Sequence, residues 1–194
     1  MNQPGLRERK KQKTRWAIQE HALRLFAEQG YDATTVEQIA EAAEVSPSTF
    51  FRYFKTKEEV VSEDRYDDLV IAGIENAPPG LGPLATLRHA LKTSLVDLKP
   101  GEDEQILQRM RLVLSVPLLR ARMMTNLLAA ADVFALPLAR RMNLAPDDPA
   151  LRAFVTGAMA AAGFGVFGWF DSDGRDDLAA SIDRALAALG ELAH

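Results

Sequence analysis

Cysteine is absent from the 194 residues, which excludes a disulfide framework, a thiolate metal site and a cysteine nucleophile. Histidine is scarce: His21, His89 and His194 stand far apart, without ligand spacing to one another or to a carboxylate motif. No metal, no cofactor and no catalytic residue is therefore expected, and the chain does not read as an enzyme. Alternating runs of β-branched residues are missing as well, so nothing demands a sheet, and helical periodicity from end to end predicts an all-α fold. Behind the charged N-terminus, MNQPGLRERKKQKTRW, no apolar stretch follows that would act as a secretory signal. The expected location is the cytoplasm, without a membrane partner.

Hydrophobic residues make up 47% and charged residues 26%, the ordinary mixture of a globular chain able to bury a core. A net charge of -4 argues against nucleic acid when taken as one number. Its distribution argues the other way. Residues 1–57 hold ten Lys or Arg against seven Asp or Glu, a balance of +3, whereas residues 58–194 hold thirteen against twenty, a balance of -7. Six of the ten cations fall between Arg7 and Arg15, opposed only by Glu8, and form a basic arm.

Local signals punctuate the helices. Ile18, Ala22, Leu25 and Phe26 share one face of a first helix from about Arg7 to Gln29, which Gly30 terminates. Thr35 and Gln38 form a capping box before a short second helix containing Val36, Ile39, Ala40 and Ala43. Ser46 and Pro47, a cap residue and a first-turn proline, open a short third helix. Thr56 and Glu59 make another capping box, opening a helix expected from Lys57 to about Glu75. NAPPGLGP, residues 76–83, breaks the chain, and further helices are expected at about 84–98, 104–115, 118–142, 149–170 and 175–192. Pro117 and Pro137 should end or kink the helices they interrupt.

The second and third helices have the dimensions of a helix-turn-helix, whose second helix lies in the major groove. Such a helix must be two-sided. Phe50 and Phe54, at i and i+4, can plug inward, which leaves Ser48, Thr49, Phe51, Arg52 and Tyr53 to offer hydroxyls, a guanidinium and ring faces to phosphates and base edges. Lys55 and Lys57 follow at the next helix start. The whole stretch AIQEHALRLFAEQGYDATTVEQIAEAAEVSPSTFFRYFKTKEEVV, residues 17–61, resembles the DNA-binding domain of the tetracycline-repressor (TetR) family. That resemblance implies that Thr35 contacts phosphate, that Ser46, Pro47, Ser48, Thr49, Phe51, Arg52 and Tyr53 occupy contact positions, and that Lys57 is a phosphate-binding lysine. Two residues depart from the family pattern: Glu44 stands where Gly is common in the turn, and Phe51 where Tyr is common. The expected division is a DNA-binding domain over residues 1–57 and a helical effector-binding and dimerisation domain over 58–194.

The second half holds two decoys. GFGVFG, residues 163–168, matches the dinucleotide fingerprint, but a helix-period run leads into it where a strand is required. Residues 153–170 carry no charge over eighteen positions, yet four glycines, a threonine and many alanines make the run weakly apolar, as in a buried helix. Asp147, Asp148, Asp171, Asp173, Asp176 and Asp177 cluster where helix caps explain them. On a helical wheel Phe154, Gly157, Ala161, Phe164, Gly165 and Gly168 share a mostly small stripe. With Leu178, Ile182, Leu186 and Leu189 of the last helix, this stripe is expected to form a two-fold four-helix dimer interface, and the family resemblance implies the same arrangement. A bulkier stripe, including Met159 and Trp169, is expected to face a cavity shared with Met110, Arg111, Leu114, Met123, Met124, Leu127 and Phe134, since adaptable Met with aromatics suits an apolar ligand. These expectations describe a homodimeric regulator of double-stranded operator DNA, a repressor released by a small apolar or amphipathic effector. The alternative is a helical binding module, or an activator without ligand induction.

Overall fold

Each cap and breaker in the sequence acts where it stands in the computed structural model, which describes residues 5–62, 66–96 and 102–192. The described residues form ten helices and no strand: α1 (Leu6–Gln29), α2 (Val36–Ala42), α3 (Pro47–Tyr53), α4 (Lys57–Ser62), α5 (Asp67–Glu75), α6 (Pro83–Val96), α7 (Glu102–Ser115), α8 (Pro117–Met142), α9 (Pro149–Asp171) and α10 (Leu178–Leu192). The helix expected from Lys57 to about Glu75 is thus described as α4 and α5, and residues 63–65 between them lie outside the described residues. Pro117 occupies the first position of α8, while Pro137 does not end the helix, which continues through it to Met142.

The chain divides into two compact units. The first holds the N-terminal segment through α4 together with Gln108–Arg122; the second holds α5, α6, the opening of α7, α8 from Met123, α9 and α10. The first unit therefore draws on the end of α7 and the start of α8, which a boundary after residue 57 leaves out.

In the first unit, Ile18, Ala22 and Phe26 of α1 are buried with Ile39 and Ala40 of α2, Phe50 and Phe54 of α3, and Val60 and Val61 of α4. Buried Gln19 donates from Nε2 to the Val60 carbonyl at 2.9 Å and ties α1 to α4. In the second unit the helices approach through glycine. A methyl group on Gly165 would lie 2.6 Å from the Ile182 Cα, so α9 and α10 meet nearly backbone to backbone, and one on Gly73 of α5 would lie 2.8 Å from the Ala90 Cα of α6. The Arg88 guanidinium of α6 adds a bidentate pair to Asp183 of α10, at 2.7 and 2.9 Å. Those bonds from Arg88 hold the Asp183 carboxyl below its ordinary pKa, against a smaller opposing effect of burial.

Candidate nucleic-acid interface

The turn between α2 and α3 follows from two backbone bonds. The Val45 N–H donates to the Ala40 carbonyl at 2.9 Å and the Glu44 N–H to the Glu41 carbonyl at 3.0 Å, the pattern of a Schellman cap. The cap requires a left-handed residue, and Glu44 takes it with φ of 54°. This is the position where the family pattern favours Gly. The strain is about 1–2 kcal/mol for a residue with a Cβ, and the exposed Glu44 side chain brings a negative charge to the entrance of α3.

Ser46 then caps α3, its Oγ accepting from the Thr49 N–H at 3.1 Å, with Pro47 in the first turn. Phe50 and Phe54 are 0% and 1% exposed, their ring centroids 5.9 Å apart, and the Arg15 guanidinium lies over the Phe54 ring at 5.1 Å. With both rings turned inward, the i and i+4 positions fix the rotation of the helix. Pro47, Ser48, Phe51 and Arg52 are exposed and Thr49 and Tyr53 half-buried. Ser46 Oγ also lies 2.9 Å from Ser48 Oγ and 3.0 Å from Thr49 Oγ1, a chain of hydroxyls along the first turn. The Arg52 guanidinium lies 5.4 Å from the Tyr53 ring centroid. Hydroxyls, one guanidinium and an exposed ring, all on a helix anchored from behind, are the donor set that reads base edges and phosphates. Arg7, Arg9, Lys10, Lys11 and Lys13 of the basic arm are exposed on the opening turns of α1.

Thr35 is exposed, and its capping box is complete: its Oγ1 accepts from the Gln38 N–H at 3.2 Å while its own N–H donates to Gln38 Oε1 at 2.9 Å. Lys55 is exposed, and its N–H donates to Glu59 Oε2 at 2.7 Å, while the other oxygen of Glu59 receives the Arg122 guanidinium at 3.3 Å.

Lys57 departs from the expectation that it faces phosphate. Its ammonium donates to the Tyr31 carbonyl at 2.8 Å and the Thr34 carbonyl at 3.2 Å, and lies 4.2 Å from the Tyr31 ring centroid. Sequence reading missed the cluster that receives it. Tyr31 is buried, packs on Phe26 with centroids 5.1 Å apart, and donates its hydroxyl to Glu58 at 2.5 Å. Burial, and then the Glu58 carboxylate, push the Tyr31 hydroxyl well above its usual pKa. Burial would raise the Glu58 carboxyl in turn, but the bonds from Tyr31 and Thr56 outweigh it and hold that group below its usual value. The one available signal was an aromatic directly after the helix-ending Gly30.

The expected effector residues fall in both units. Met110, Arg111 and Leu114 belong to the first; Met123, Leu127, Phe134, Met159 and Trp169 belong to the second; the side chain of Met124 lies outside the described residues. Within the first unit, Arg111 lines a groove of about 270 Å³ between α7 and Leu23, Phe26 and Ala27 of α1. Trp169 requires a correction. It is 2% exposed, its indole N–H donates to the Asp176 carbonyl at 3.0 Å, and it packs against Gly174. It closes the α9–α10 turn and does not line a cavity.

The dimer residues also divide. Phe164, 74% exposed, and the exposed Gly157 and Gly168 face outward, with Phe154 and Ala161 half-buried beside them. Gly165, Leu178, Ile182 and Leu186 do not: they are buried inside the subunit, because the close approach of α9 to α10 at Gly165 consumes that face in intrachain packing. Asp148 and Asp177 cap α9 and α10, accepting from the N–H groups of Leu151 at 2.9 Å and Ala180 at 2.6 Å. GFGVFG lies wholly within α9, where there is no loop to cradle a phosphate.

Comparison with known proteins gives concordant matches. Residues 18–63 match the family model described as bacterial regulatory proteins, tetR family, and residues 81–193 match the MftR C-terminal domain model. The transcriptional regulator TcmR of Streptomyces glaucescens is 38% identical over 169 residues, covering 84% of this chain and 75% of that protein. Thermus thermophilus FadR, solved in complex with lauroyl-CoA, superposes with a TM-score of 0.53 at 26% identity, over 90% of this chain and 92% of that one. SmeT, repressor of a Stenotrophomonas maltophilia multidrug efflux pump, shares the fold with a TM-score of 0.52 at 22% identity, over 90% of this chain and 89% of that one.

Proposed function

The chain belongs to the TetR family of bacterial transcriptional regulators, and we propose that it acts as a cytoplasmic homodimeric repressor released from operator DNA by a small apolar or amphipathic effector. The observation that carries the DNA-binding half of this reading is α3, locked by Phe50 and Phe54 with Ser48, Phe51 and Arg52 outward. Two such helices in successive major grooves would stand about 34 Å apart. In this reading residues 1–57 bind DNA, and residues 58–194 hold the effector and the dimer contact.

The outward strip of α9, Gly157, Phe164 and Gly168, supports a close approach by the same helix of a second copy. By length and composition α9 could also cross a membrane, with a mean hydropathy of 1.5 and 33% of its most apolar window buried in the chain. A second copy covers that strip in our reading. The amphipathic class of effector rests on the lauroyl-CoA held by the Thermus protein and on Met110, Phe134 and Met159, buried apolar side chains of the C-terminal helices. The relatives it matches are transcriptional regulators, and no catalytic role is assigned to any residue here.

The test is binding of the purified chain to duplex from its own promoter region at two salt concentrations. Affinity should fall steeply as salt rises, and Arg52→Ala and Tyr53→Ala should each weaken binding by about 1–3 kcal/mol where they read a base. Unchanged affinity in both variants would defeat the assignment of α3 as the reading helix.

A further inference from the structure

Lys57 stands where the family resemblance implies a phosphate ligand, yet its ammonium is spent inside its own unit. Two of its three N–H donors go to the Tyr31 and Thr34 carbonyls, and the Tyr31 ring covers it at 4.2 Å. The receiving platform is rigid: Tyr31 is pinned by Glu58 and Phe26, and Thr34, buried, donates to the Gly30 carbonyl at 2.8 Å. From this turn the connections run straight to the DNA-facing elements. Gln29 donates both to Thr34 Oγ1 at 3.1 Å and to Gln38 Oε1 at 2.9 Å, and that same Gln38 oxygen accepts the Thr35 N–H.

Resting on the DNA-binding reading above, we infer that Lys57 is a positioning residue: it fixes the turn that aims Thr35 and α2, and it does not itself neutralise a phosphate. To reach a phosphate the ammonium would have to give up two charge-assisted bonds and the ring face. Its positive charge instead satisfies carbonyls that the end of α1 leaves unpaired.

The experiment compares the full-length wild type with Lys57→Met, which keeps the side chain's length and removes its charge. Affinity for the promoter duplex is measured across a salt series, well below the melting temperature. The expected result is a loss of about tenfold at every salt concentration, an unchanged slope of log K against log salt, and faster amide exchange at Thr34 and Thr35. A phosphate contact would instead make the slope shallower by about 0.9 for each lysine removed, which would overturn the proposal. A lowered melting temperature with unchanged affinity would overturn it too, by reducing Lys57 to a stabilising residue alone. The wild-type chain supplies a check independent of how the variant folds. The 15N signal of the Lys57 ammonium should be protected from exchange in the free protein and stay in place when duplex is added; a shift on DNA binding would count against the proposal. Absence of any salt-sensitive duplex binding by the wild type would bring down the DNA-binding reading together with the proposal, whereas a shallower slope for Lys57→Met sinks the proposal alone.

Discussion

The reading helix α3 is held by two large side chains, and the α9–α10 seam is held by the lack of one. Phe50 and Phe54 fill the space behind α3 and so decide which residues face outward. Gly165 leaves space, and the backbone of α10 occupies it. The first device can be seen in a sequence, because aromatics at i and i+4 beside hydroxyls and an arginine make a two-sided helix. The second reads the same whether the small face meets a helix of its own subunit or one from a partner.

The comparison can be broken most forcefully at Phe50. Phe50→Ala should destabilise the first unit by about 3–5 kcal/mol and abolish duplex binding. One tryptophan in each unit, Trp16 in α1 and Trp169 in α9, makes the test specific. In a Trp16→Phe background, the denaturation of the second unit followed by Trp169 should keep its midpoint; if it falls equally, the two units do not stand on separate supports.

Gly165→Val probes the opposite device. It forces a branched side chain against the Ile182 Cα and the Ser181 carbonyl, 2.6 and 2.7 Å from where its Cβ would sit. We expect a loss of about 1–3 kcal/mol, read from the Trp169 transition. An unchanged midpoint would mean that α9 and α10 are not in the close contact described.

Glu44→Gly sharpens the comparison with the smallest effect and the opposite sign. Relieving the left-handed conformation at φ of 54° should stabilise the first unit by about 1 kcal/mol, without moving the Trp169 transition. No gain would show that Glu44 makes a compensating contact.

Most of the first unit was legible because its determinants are local. The Thr35 capping box, the Ser46 cap with Pro47 and the Gly30 terminus act over three or four residues, and each is formed as the sequence implies. The Tyr31–Glu58–Lys57 cluster was not legible, since it joins residues 26 and 27 positions apart. A lysine at a helix start reads equally well as an anion ligand or as a clamp on carbonyls. Trp169 failed for a related reason: its place on a bulky stripe is the same for a cavity wall and for a filled core, and only its bond to the Asp176 carbonyl tells them apart.

By itself, then, the sequence determined the helices, their caps and the outward residues of α3, because hydrogen bonds and apolar periodicity within one helix need no knowledge of what lies beyond it. Tertiary structure alone decided where charge and small size are spent: the Lys57 ammonium on the chain's own carbonyls and Gly165 on its own α10. A charge and a vacant Cβ both act at van der Waals or hydrogen-bond range, and which neighbour comes within that range is fixed only when distant segments pack.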